Sequence, residues 1–76
     1  MRADLFLKET RIIKRRVIAK EYCERGLVLL NDKACKPSSE IKEGDKLTIK
    51  FGEKTFHILA HIEEGRKKEI ASYESI

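Results

Sequence analysis

The apolar positions divide the chain into a helical first third and a strand-forming remainder. From Arg2 to Glu9, Leu5, Phe6 and Leu7 supply apolar contacts and no glycine or proline interrupts them. Asp4 falls in the first turn, where a carboxylate suits the helix dipole, so a short first helix is predicted there. Thr10 and Arg11 read as a corner. A second helix is predicted from Ile12 or Ile13 to Arg25, because at ~100° per residue Ile12, Ala19 and Cys23 share a narrow arc with Tyr22 beside it. Gly26 closes that helix as a residue free to take positive φ.

Beyond Gly26 the period shortens. Leu27 to Leu30 is an apolar run too short for a helix and reads as a strand. Asn31-Asp32 tolerate the left-handed turn of a tight hairpin, and Lys33 to Lys36 form the return strand, stopped by Pro37-Ser38-Ser39. After a turn at Glu43-Gly44-Asp45, Lys46 to Phe51 alternates, with Leu47, Ile49 and Phe51 on one face. Gly52-Glu53-Lys54 turns the chain into Thr55 to Ile62, where Phe56, Ile58, Ala60 and Ile62 share a face. Residues 63–76 read as a charged, solvated tail, at most a loose final helix, in which Tyr73 and Ile76 have no evident partner. The expected fold is therefore α+β, with two N-terminal helices on a small, mostly antiparallel sheet of about four short strands.

With 76 residues there is room for one core, and a chain this short buries only ~60% of its unfolded surface, which leaves no deep pocket. No apolar run approaches the ~20 residues of a membrane span, and the N-terminal Met-Arg-Ala-Asp lacks the apolar stretch of a secretory signal. A cytoplasmic protein without a membrane partner is expected. Cys23 and Cys35 fit neither a redox pair nor zinc-knuckle spacing and read as buried structural thiols.

Charge changes the picture. Up to Arg25 there are eight Lys and Arg against four Asp and Glu, while the rest of the chain carries nine of each, so the net +4 comes from the first third. Lys14-Arg15-Arg16 are three like charges in succession, placed where a helix start favours anions, whereas Lys20 and Glu24 can pair as i and i+4. A phosphate at that helix start would satisfy both the cations and the free backbone N–H groups. No recognition helix with residues spaced to read base edges is present, and Tyr22 and Phe6, the aromatics of the basic block, read as core. Cations from two crossing helices and the following turn instead suit the contour of folded RNA.

Catalytic chemistry is hard to place. His57 and His61 would share a helix face, but on a strand they stand ~13 Å apart, so no metal site is assigned. Ser38-Ser39 lack a nearby activating base, and Gly44 and Gly52 are isolated. The expectation is a non-enzyme without cofactor. A protein–protein module whose basic surface merely confers solubility is the alternative from another class.

The run Arg2-Ala3-Asp4-Leu5-Phe6-Leu7-Lys8, then Arg11, Lys14-Arg15-Arg16 with Ala19, Gly26-Leu27-Val28 with Asn31, Lys36-Pro37-Ser38 and Gly44-Asp45 resembles the RNA-binding domain named after ribosomal protein S-four, over about residues 2 to 51. The N-terminal Arg-x-Asp-x-Phe-Leu-Lys is similar to the stand-alone form of that domain in the heat shock protein fifteen and RqcP family of ribosome-associated quality control. Ala3 and Leu5 stand where Leu and Lys are usual, Asn31-Asp32 replaces Asn-Gly, and Tyr22-Cys23 replaces aliphatics. The resemblance implies an alpha-L surface of two helices and a hairpin that grips structured RNA, within a domain spanning residues 1–62. It implies RNA contacts by Arg2, Lys8, Arg11, Lys14, Arg15, Arg16, Lys36 and Ser38, with Asp4 orienting Arg2 or Arg16. The partners it implies are large-subunit rRNA and peptidyl-tRNA on a dissociated large ribosomal subunit, and a tRNA-recruiting quality control factor that drives alanine tailing of stalled chains. A monomer is expected off the ribosome. A heat-shock type recycling role on the same subunits is the alternative within the family.

Overall fold

A computed structural model describes residues 1–76. The first helix, α1, spans Ala3–Glu9 and ends where Thr10 caps it, its hydroxyl donating to the carbonyls of Phe6 at 2.8 Å and Leu7 at 3.3 Å. Arg11 follows at φ 62°, in the left-handed position that a glycine usually fills after a helix. The second helix, α2, spans Arg16–Glu24 and closes on Gly26 at φ 73°, with the Gly26 and Leu27 N–H groups donating to Cys23 and Tyr22 carbonyls.

The second helix thus starts later than the expected Ile12 or Ile13. Arg11 turns the chain out of helical geometry, and residues 12–15 cross from one helix to the next in extended and bent conformations. Ala19 and Cys23 are buried on the stripe read from the sequence, while Ile12 and Ile13 reach the core from the connecting turn.

Five strands follow: β1 (Val28–Leu30), β2 (Lys33–Ala34), β3 (Lys46–Phe51), β4 (Lys54–Glu64) and β5 (Glu69–Ser75). They form one antiparallel sheet in the order β2-β1-β3-β4-β5. Asn31 at φ 49° and Asp32 at φ 70° make the β1–β2 turn, and β2 is shorter than the expected Lys33 to Lys36. The expectation of a solvated or loosely helical segment after residue 62 is corrected. There, β4 runs on to Glu64 and β5 pairs with it from Ile58↔Ser75 to Glu64↔Glu69. The high charge hid this strand, because its stability comes from backbone pairing along a long neighbour, with Ala71 as its main apolar anchor on the core.

One face of the sheet packs on the helices. Phe6, Leu7, Val28, Ile41, Leu47 and Ile49 are fully buried, each such side chain stabilising the fold by ~1.5–3 kcal/mol. Phe6 is core as expected, and Tyr22 is half-buried, its ring 5.4 Å from that of Phe51.

Candidate nucleic-acid interface

The start of α1 is fastened to a distant loop. Its orphan N–H groups find partners there: Ala3 N–H donates to the Ser39 carbonyl at 2.8 Å and Asp4 N–H to the Pro37 carbonyl at 3.2 Å. Arg2 bridges to Glu40 through the backbone, and the Ile41 N–H donates to the Met1 carbonyl at 2.7 Å. The Met1 amine meets Glu40 Oε1 at 2.9 Å and Glu69 Oε2 at 3.5 Å. The loop is itself closed by Lys36 N–H donating to Ser39 Oγ at 2.9 Å. These bonds bring Arg2 beside Lys36 and Ser38, residues far apart in sequence.

Asp4 sits at the centre. It is 2% exposed, and its Oδ1 accepts the Leu5 N–H at 2.7 Å. Arg2 donates through Nε to Oδ1 and through Nη2 to Oδ2, both at 3.2 Å, and Arg16 Nε lies 3.5 Å from Oδ2. Two half-exposed guanidiniums, one from the residue preceding α1 and one from the start of α2, are therefore held on a single buried carboxylate, and the trio retains one positive charge. A buried carboxylate needs this degree of pairing to avoid a large desolvation cost.

One cleft adjoins this centre through Arg2, and a second lies at the far end of α1. The larger, about 720 Å³, is lined by Arg2, Lys36 and Ser38, with Lys20 and Glu24 on its α2 side and Cys23 and Cys35 among its apolar residues. The other, about 470 Å³, is lined by Lys8, Glu9, Arg11 and Lys14. Lys14-Arg15-Arg16 joins the two sets along ~7 Å of extended chain. At the start of α2 no side chain caps the free N–H groups and no acid lies in the first turn, so the positive end of the helix adds to the cations around it.

The structure thus gathers Arg2, Arg16, Lys36 and Ser38 around Asp4, gathers Lys8, Arg11 and Lys14 in a second cluster, and leaves Arg15 exposed between them. Lys20 is the residue that sequence reasoning left out, having been read as the partner of Glu24. Its spacing of i+4 from Arg16 was the available signal. Cys23 and Cys35 are both buried, and the Cys23 thiol is pushed upward first by its hydrogen bond with Cys35 and then by burial, so it stays protonated. His57 and His61 lie on β4, where His57 meets Thr48 and His61 bridges Glu43 at 2.8 Å and Glu74 at 3.3 Å.

Residues 1–47 match the family model described as S4 domain. The chain is 45% identical over 73 residues to the RQC P-site tRNA stabilizing factor of Halalkalibacterium halodurans, covering 95% of this chain and 83% of that protein. The protein of the same name from Bacillus subtilis is 42% identical over 73 residues, covering 95% of this chain and 85% of its own length. Among solved structures, the trimeric heat shock protein 15 of Vibrio cholerae superposes with a TM-score of 0.82 at 24% identity, over 100% of this chain and 81% of that one, and so shares the fold.

Proposed function

The chain belongs to the S4 domain family, alongside the proteins named RQC P-site tRNA stabilizing factor, and from that membership and the cationic surface we propose that it is a non-catalytic RNA-binding factor of ribosome-associated quality control. In this reading it binds large ribosomal subunits that carry peptidyl-tRNA, touches both large-subunit rRNA and the tRNA, and acts in the cytoplasm as a monomer off the ribosome. By holding the tRNA in place it supports alanine tailing of the stalled chain, which a tRNA-recruiting partner factor drives. No side chain of this protein takes part in bond making.

The observation that carries the reading is the placement of Arg2 and Arg16 on the buried carboxylate of Asp4. Guanidiniums fixed at known separation match successive phosphates of a folded RNA backbone better than mobile surface cations do. Lys36 and Ser38 extend the contact on one side, and Lys8, Arg11, Lys14 and Arg15 extend it on the other. If the seven cations each neutralise one phosphate, log affinity falls against log salt with a slope of about −5 to −6.

Co-sedimentation with large subunits tests the assignment. Arg2→Ala and Arg16→Ala are each expected to lose at least tenfold in binding with circular dichroism unchanged. Undiminished association of both variants would end the assignment of these residues.

A further inference from the structure

Two half-exposed aromatic rings border the buried core. Phe56 is 48% exposed and Tyr73 44% exposed, although both lie on the face of the sheet that elsewhere packs on the helices. With Phe51 they wall a cleft of about 310 Å³ floored by the buried Ile49 and Ile58, and Arg11 stands at its rim. Phe51 is fixed from both sides, with the Tyr22 ring at 5.4 Å and the Phe56 ring meeting it edge-on at 5.5 Å. The volume lies within the ~300–1,000 Å³ of small-ligand clefts.

Arg11 also lines the cationic cleft with Lys8 and Lys14, so the aromatic walls are continuous with the phosphate-binding cations through one residue. We propose that this cleft takes a single unpaired nucleobase of the bound RNA, stacked against Phe56 and Tyr73, while the phosphate of the same nucleotide meets Arg11. A nucleotide joins a flat π face to an anion within one residue, which is the pairing of surfaces this cleft presents. An apolar protein side chain would use the walls and leave the cation without a partner. The inference rests on the RNA-binding reading and adds that the recognised RNA carries an unpaired nucleotide beside its helix.

The test uses the full chain and two synthetic RNAs with the same stem: a stem-loop with 2-aminopurine in the loop, and a blunt duplex. The native chain is expected to bind the stem-loop more tightly and to quench the 2-aminopurine. Phe56→Leu and Tyr73→Leu, which keep an apolar side chain but remove the ring, are expected to lose about tenfold on the stem-loop and nothing on the duplex. Tyr73→Phe, which keeps the ring, should bind as the native chain does. Equal loss on both RNAs, or no loss on either, overturns the nucleobase site while leaving the phosphate surface standing. A native chain that binds neither RNA overturns the RNA-binding reading itself.

Discussion

Asp4→Asn separates two roles that a carboxylate among cations can have. If Asp4 only dilutes the positive field, its removal raises the net charge by one unit from +4 and tightens RNA binding. If it positions Arg2 and Arg16, its removal weakens binding even though the charge becomes more favourable. The structure supports the second. Asp4 is 2% exposed, accepts the Leu5 N–H at 2.7 Å, and holds one guanidinium from the N-terminal segment and one from α2. Asparagine keeps the shape and can keep the bond to Leu5, but its amide donors then face guanidinium donors. With the arginine side chains 50% and 48% exposed, solvent screening holds each ion pair to ~0.2–1 kcal/mol. A buried amide donor left without an acceptor adds ~1–3 kcal/mol. The total over both ion pairs, about 1.4–5 kcal/mol, corresponds to a fall in Tm of at least ~5 °C in a domain of this size. Binding measured by anisotropy well below the variant's Tm, across a salt series, should be about tenfold weaker, or ~1.4 kcal/mol. Equal or tighter binding by Asp4→Asn would refute the positioning role.

Arg11 gives a second way to separate stability from binding. A left-handed conformation costs a side chain such as arginine ~1–2 kcal/mol, and glycine's extra backbone freedom in the unfolded chain returns ~0.5–1 kcal/mol of that. Arg11→Gly should therefore leave Tm unchanged or raise it by a few degrees in a thermal melt, while RNA affinity falls. A lowered Tm would show that the φ of 62° is not strained. The cluster of His61, Glu43 and Glu74 predicts a pH window. The hydrogen bond with Glu43 raises the His61 pKa above its ordinary 6.5, and the same bond lowers Glu43 below 4.5. The His61 contribution is then full below pH 6.5 and lost as pH rises through its folded value. The Glu43 contribution is full above pH 4.5 and lost as pH falls through its folded value. A plateau in Tm between those limits is expected, and His61→Gln should abolish the decline on the alkaline side. If the native and variant melting curves keep the same pH dependence, the bridge contributes nothing.

Much of the fold was legible because its signals were local. Gly26 announced the end of α2, and the alternation of Leu47, Ile49 and Phe51 announced β3. The misplaced start of α2 has a specific cause. The break at Arg11 uses a left-handed residue that is not glycine, so the chemistry that normally marks a helix end is missing from the sequence. The lost strand has another. From Glu69 to Ser75 the chain is polar on both faces apart from a few positions, and only an eleven-residue neighbour, β4, gives it a ladder to complete. That information lies in the partner strand.

The same distinction governs the site. The cations of the first third could be read as a group from charge alone, and the motif placed Lys36 and Ser38 with them. Charge could not say which of them are fixed in space, and that is the property on which selective contact with a folded polyanion depends. Fixing a long, flexible arginine normally costs side-chain entropy that a surface ion pair barely offsets. Here the acceptor is immobile before the arginines arrive. Asp4 is locked by its own bond to the Leu5 N–H, and α1 is locked at its start by the carbonyls of Pro37 and Ser39. The loop supplying those carbonyls is the one that carries Lys36 and Ser38, so the bonds that hold α1 in place also set the distance between Arg2 and Lys36. A change in the loop backbone at residues 37–39 should therefore disturb the RNA contacts proposed for Arg2 as much as those proposed for Lys36. Loss of binding in such a variant, with both cations still present, follows from the hydrogen bonds between loop and helix and would be missed by counting charges.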